Sequence, residues 1–172
     1  MPTVASAPRL ATLMRYKAWA DTRLYAALAS VPPDTLAKPT PVFAGSILRT
    51  LNHVCLIDVV WKSHLLGVPH GFVTRNPEAS RGLAELRQAQ AATDAWYVRQ
   101  AEHLTPPQAD ETVHFAFIGG GTGAMTRGEI MLHVVNHTTY HRGHISAMLY
   151  LAGVQSPVTD LPVYLREPGH AR

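Results

Sequence analysis

Residues 133–144 read HVVNHTTYHRGH and hold four of the chain's ten histidines. On a helix each residue turns by about 100°, so His133, His137, His141 and His144 project within about 80° of one another. They form a stripe on one face. A lone histidine on an apolar helix face is ordinarily a satisfied core residue, but four beside apolar neighbours ask for another reason. Neutral imidazole is the commonest protein ligand for borderline metals, and i, i+4 spacing places two rings on one ion. The stripe therefore predicts metal binding.

The helical rise of about 1.5 Å per residue sets which rings can share an ion. His133 and His141 lie about 12 Å apart along the axis and cannot. The pairs His133 with His137, His137 with His141, and His141 with His144 all remain open. A working site needs a third ligand from another helix, and His53 is the best candidate; its alternative is a core histidine bonded to a backbone carbonyl. His64 lies about 16 Å further along that helix, at its end, and reads as a surface or mouth residue. His70, His103, His114 and His170 fall in loops, ends or a hairpin and read as surface residues. Asp58, an acid inside an apolar helix, is expected to orient a ligand imidazole or to pair with an arginine.

Four helical segments surround these residues. The first spans about residues 8–30, with Leu10, Leu13, Met14, Ala18, Leu24 and Leu28 near helical spacing, and Val31-Pro32-Pro33 ends it. The second, about 46–66, is apolar almost all round (ILRTLNHVCLIDVVWKSHLL) and should be the most buried, with Gly67 as its stop. The third, about 80–103, has Ser80 as a candidate N-cap and closes at Thr105-Pro106-Pro107. The fourth, about 126–152, starts with Thr126 and Glu129 at capping-box spacing and stops at Gly153. Before it, ETVHFAFIGGGTGAMTR reads as a short β-hairpin. Its GGGTG run lacks the Gly-Lys-Ser/Thr ending of a phosphate loop. The expected fold is all-α, one domain over residues 1–172: an up-down four-helix bundle with a hairpin before the last helix, an architecture that places metal sites between facing helices.

Composition narrows the function classes. The chain has 172 residues, 47% hydrophobic and 16% charged, which is globular and not disordered. Net charge is +3, but lysines and arginines are scattered singly, which speaks against nucleic acid. One cysteine excludes an internal disulfide. No secretory signal pattern and no membrane-length apolar run is present, so a soluble cytoplasmic protein is expected. Cys55 is two residues from His53, points elsewhere and packs as a small hydrophobe. No recurring Glu-x-x-His pair suggests a di-iron carboxylate bundle. Core packing accounts for Trp19, Trp61 and Trp96.

The pattern resembles the DinB-like (damage-inducible, or YfiT-like) metalloenzyme superfamily. The first helix carries YKAWADTRL, similar to the family's aromatic-x-x-Trp-Ala-Asn-x-Arg start. The second carries LNHVCLIDVVW, similar to its Leu-x-His followed by an acid and a Trp. The fourth carries MLHVVNHTTYHRGHI, similar to its His-x-x-Asn-His-x-x-x-His-Arg-Gly-Gln. The resemblance implies a divalent metal on His53, His137 and His141. His144 stands where the family has Gln, as a group supporting a ligand or a competitor for metal; His133 is implied to be a supporting or structural histidine. Zinc, nickel and iron all accept imidazole nitrogen, with zinc or nickel favoured. Three ligands leave positions open for water or substrate, as in catalytic sites. The implied function is a metal-dependent transferase or isomerase acting on a low-molecular-weight thiol or thiol conjugate, or a hydrolase. The alternative is a non-catalytic metal-binding stress-response protein. A homodimer is expected from the lean charge and apolar second helix.

Overall fold

The computed structural model describes residues 7–169; the expectation for His170 lies outside the described residues. The elements are α1 (Ala7–Leu28), α2 (Pro33–Ala37), α3 (Ile47–Leu66), α4 (Leu83–His103), α5 (Pro106–Ala109), β1 (Thr112–Ala116), β2 (Thr122–Thr126), α6 (Arg127–Leu151) and α7 (Leu161–Arg166). The protein is mainly helical, with one small antiparallel sheet. The short helices α2 and α5 begin at the Pro-Pro pairs expected only to end α1 and α4. Proline lacks the N–H that a first turn cannot use and has φ preset for it, so it can start the next helix.

Local chemistry fixes the long helices. Ser46 Oγ accepts the Arg49 N–H at the start of α3, and Gly67 ends it in the left-handed conformation with φ 67°. Thr126 and Glu129 form a reciprocal capping box on α6: Thr126 Oγ1 accepts the Glu129 N–H at 3.1 Å, and Glu129 carboxylate accepts the Thr126 N–H at 2.7 Å. Ser80 does not cap α4. That helix begins after Gly82, and the Ser80 hydroxyl is buried without a hydrogen-bond partner among the described residues.

α1 packs against α4 and α6, and α3 packs against the same two. One apolar cluster holds Leu10, Met14, Leu56, Trp61, Tyr97 and Ile130; a second holds Leu24, Leu28, Leu51, Cys55, Leu86 and Ile145. Buried polar residues from all four long helices (Lys17, Asp21, Asp58, Gln90, Asp94, Arg142) meet one another in the interior. The order of the two clusters gives the chain directions. α1 and α6 pass from the first cluster to the second; α3 and α4 pass from the second to the first. The strict up-down alternation expected from the sequence is therefore corrected: α3 and α4 run the same way. Residues 67–82 permit this. A helix the length of α3 spans about 30 Å, and sixteen extended residues reach about 50 Å.

The hairpin pairs Thr112 with Thr126 and Phe115 with Gly123. Phe115 is buried with its ring 4.9 Å from that of Trp61. A Cβ at Gly123 would come within 2.8 Å of the Phe115 ring, so the glycine is what lets the ring lie across the sheet. The turn runs through Gly119, Gly120 and Gly121, all at positive φ. This anchoring brings Phe117 and Ile118 to the cavity described next.

Candidate metal centre

α3 and α6 face each other, and their histidines meet between them. His53 on α3 and His137 and His141 on α6 each offer a ring nitrogen, and these atoms all lie within 4.8 Å of one another. His53 and His141 are buried and His137 half-buried. His53 bonds a backbone carbonyl and also faces the other two histidines. Its Nδ1–H donates to the Arg75 carbonyl at 2.9 Å. A carbonyl can only accept, so the proton is fixed on Nδ1 and the Nε2 lone pair points inward. That Nε2 lies 3.2 Å from His137 Nε2. Two nitrogens about 2.0–2.1 Å from a tetrahedral ion are about 3.3–3.4 Å apart, so the donor set fits a divalent ion.

Burial keeps these imidazoles neutral. It lowers His53 below the ordinary histidine range. Burial first, then the neighbouring His141, His53 and His133, brings His137 down to about 3. Burial, then His53 and His144, brings His141 to about 4. Neutral rings are the form that ligates.

The other candidates take different places. His144 Nδ1 lies 3.3 Å from His141 Nδ1, behind that ring and outside the group of three. His133, one turn before His137 with centroids 5.7 Å apart, meets the Trp61 ring edge-on at 4.9 Å. Asp58 contacts neither an imidazole nor an arginine. Its Oδ2 lies 2.7 Å from Lys17 Nζ and accepts from Gln90 at 2.8 Å. Five residues on from His53 it points about 140° round the helix, into the buried polar group. There Lys17 also meets Asp21 and Asp94, and Arg142 reaches Asp21, Tyr16 and Thr139. Cys55 is fully buried among apolar side chains, which pushes its thiol up.

Four features of the site are not expected from the sequence. Phe43 lies over the cluster, its ring 5.1 Å from His53 and 4.8 Å from His141. A tight turn puts it there, with Ala44 at φ 61° and Gly45 at φ 85°. Tyr140 packs edge-on to His144 at 4.4 Å. Arg75 and Asn76, in the loop after α3, border the opening. Trp61, expected to be core alone, also forms cavity wall. The lone aromatic before a Gly turn was the one available signal for Phe43; nothing local marks Arg75. The three histidines open on a cavity of about 440 Å³. Its walls are Ile57, Val60 and Trp61 of α3, Phe117 and Ile118 of the hairpin, and His64 and His133.

Among the described residues, no helix is long and apolar enough to cross a membrane. The DinB family model matches residues 1–170. Protein DinB of Bacillus subtilis (strain 168) is 28% identical, with the match covering 89% of this chain and 91% of that protein. With a family match over nearly its whole length and the three histidines gathered at one point, the chain belongs to the DinB family.

Proposed function

We propose that the protein is a metal-dependent enzyme that acts on a low-molecular-weight thiol or thiol conjugate, in a four-helix bundle that holds the ion between α3 and α6. The observation that carries this reading is the set of three neutral imidazoles from two helices, opening on a substrate-sized cavity. His53, His137 and His141 hold a divalent ion, zinc or nickel in preference to iron, and among the described residues no fourth protein ligand joins the group of three. A divalent ion there supplies a Lewis acid that lowers the pKa of a coordinated thiol or water. The protein does the rest. The Arg75 carbonyl fixes the His53 tautomer, Phe43 shields the cluster from solvent, and Trp61, Phe117 and Ile118 provide an apolar bed for the substrate.

Elemental analysis of protein made without a histidine tag, followed by a screen of small thiols against electrophilic acceptors, tests this. Metal-dependent thiol transfer that survives Cys55→Ser supports the reading. A Cys55→Ser protein that binds metal but is inactive would place the nucleophile on the protein and refute it. In solution we infer a homodimer. Tyr140, Tyr150 and Leu151 of α6 are large apolar side chains left exposed, surface that a second copy can cover, and light scattering at the monomer mass contradicts it.

A further inference from the structure

We propose that the cavity beside the histidines selects an organic carboxylate with an aromatic body, and that Arg75 is the residue that recognises the anion. This rests on the cavity being the working site of the reading above and names what that site takes. Fourteen residues line the cavity, and none is an aspartate or glutamate. Apart from the histidines, Arg75 is the one cationic side chain of the wall. Arg15 pairs with Glu102, Arg23 with Glu167 and Arg127 with Glu111, whereas Arg9, Arg49, Arg87, Arg99 and Arg166 have no acid partner among the described residues, so it is its place in the cavity wall that sets Arg75 apart. Among the described residues Arg75 has no acid partner either. An exposed guanidinium at the rim of an apolar cavity is matched by a planar carboxylate, which it can grip through two parallel N–H bonds.

The rest of the wall fixes the body of the ligand. Trp61 is 7% exposed and Phe117 52% exposed, so the cavity runs from a buried aromatic floor to an open aromatic lip. Arg75 stands beside His53, since its backbone carbonyl holds that ring. A carboxylate on the guanidinium can lay its aromatic body against the apolar wall that Trp61 and Phe117 share with Ile57, Val60 and Ile118. Without an acid in the wall, an anion meets no carboxylate repulsion there, whereas an organic cation would find no carboxylate and would meet the Arg75 charge.

The probes are 3-phenylpropanoate, its neutral amide 3-phenylpropanamide, and propanoate. Each is titrated calorimetrically into the wild-type full chain, Arg75→Met and His137→Ala, with metal content measured for every sample. In wild type, 3-phenylpropanoate should bind at least about tenfold more tightly than the amide, as a charge-assisted contact requires, and more tightly than propanoate. Arg75→Met should abolish the preference for the acid and leave amide binding unchanged. Helical circular dichroism confirms that this exposed substitution leaves the fold intact. His137→Ala should lose metal and keep the preference, which separates failure of the metal reading from failure of this one. Equal binding of acid and amide to wild type overturns the proposal, as does absence of binding. So does an acid preference that persists in Arg75→Met, because the anion would then sit on the metal centre alone.

Discussion

His53 Nε2 and His137 Nε2 face each other at 3.2 Å across the α3–α6 interface. In the metal-free protein this contact needs one N–H. The Arg75 carbonyl holds the His53 proton on Nδ1, so His137 must donate through Nε2. Its Nδ1 is then a buried atom without a hydrogen-bond partner among the described residues. If a divalent ion took the two Nε2 lone pairs, the His137 proton would have to sit on Nδ1, a buried atom that would then need an acceptor of its own.

Removing the ion should weaken the fold without abolishing it. Two apolar clusters span the long helices, unlike a zinc finger, which is unfolded without metal. An ion bound only to the native state stabilises by mass action. Chelation should lower the melting temperature and leave the far-ultraviolet circular dichroism helical at 25 °C. Loss of the helical signal on chelation would show that the metal organises the core.

Acid should destabilise the chelated protein through its histidines. The folded pKa values of His137 and His141, about 3 and about 4, lie below the free value near 6.5. The unfolded state therefore binds more protons between these limits. Stability is present above about pH 6.5 and falls as pH drops through that value towards the folded ones. Asp94 acts in the opposite sense. Burial raises it to about 7, so its contribution falls as pH rises from about 4 towards 7. Urea unfolding in chelator at pH 7 and pH 5 should show wild type losing more stability than His137→Asn on acidification. Equal losses would show that His137 does not titrate in this way.

Lys17 should be a major stability residue although it touches no ligand. It is 1% exposed and paired with Asp21, Asp58 and Asp94. Burial opposes its charge, but the three carboxylates outweigh that and hold its pKa well above the ordinary lysine value. Lys17→Met keeps most of the stem and strands the carboxylates, which typically costs about 3–5 kcal/mol. A loss below about 1 kcal/mol in urea unfolding would show that Arg142 and protonation of Asp94 suffice.

Much of this was legible in the sequence because it is local. The Thr126 cap, the Gly67 stop, the hairpin and the histidine stripe from His133 to His144 each follow from residues within one or two turns. Spacing left three histidine pairs on the last helix open, and the family resemblance then chose His137 with His141 beside His53. Lys17 and Asp21 carried an unread signal: Leu10, Met14, Lys17, Asp21, Leu24 and Leu28 step by four and three along one seam, and all are buried. Their partners lie on other helices, so charge suggested surface where position required core. The parallel course of α3 and α4 depends on how residues 67–82 cross the molecule, and Phe43 and Arg75 reach the site from loops. Tertiary packing decides those placements, and short-range pattern does not encode them.

The central claim is one divalent ion per chain on His53, His137 and His141. Elemental analysis of tag-free protein after reconstitution and exhaustive dialysis tests it most directly, with wild type and His137→Ala measured side by side. The account predicts about one equivalent per chain in wild type, as three neutral imidazoles at ligand spacing imply, and less than about a tenth in the variant. Full metal retention in His137→Ala, or no bound metal in wild type, would contradict it.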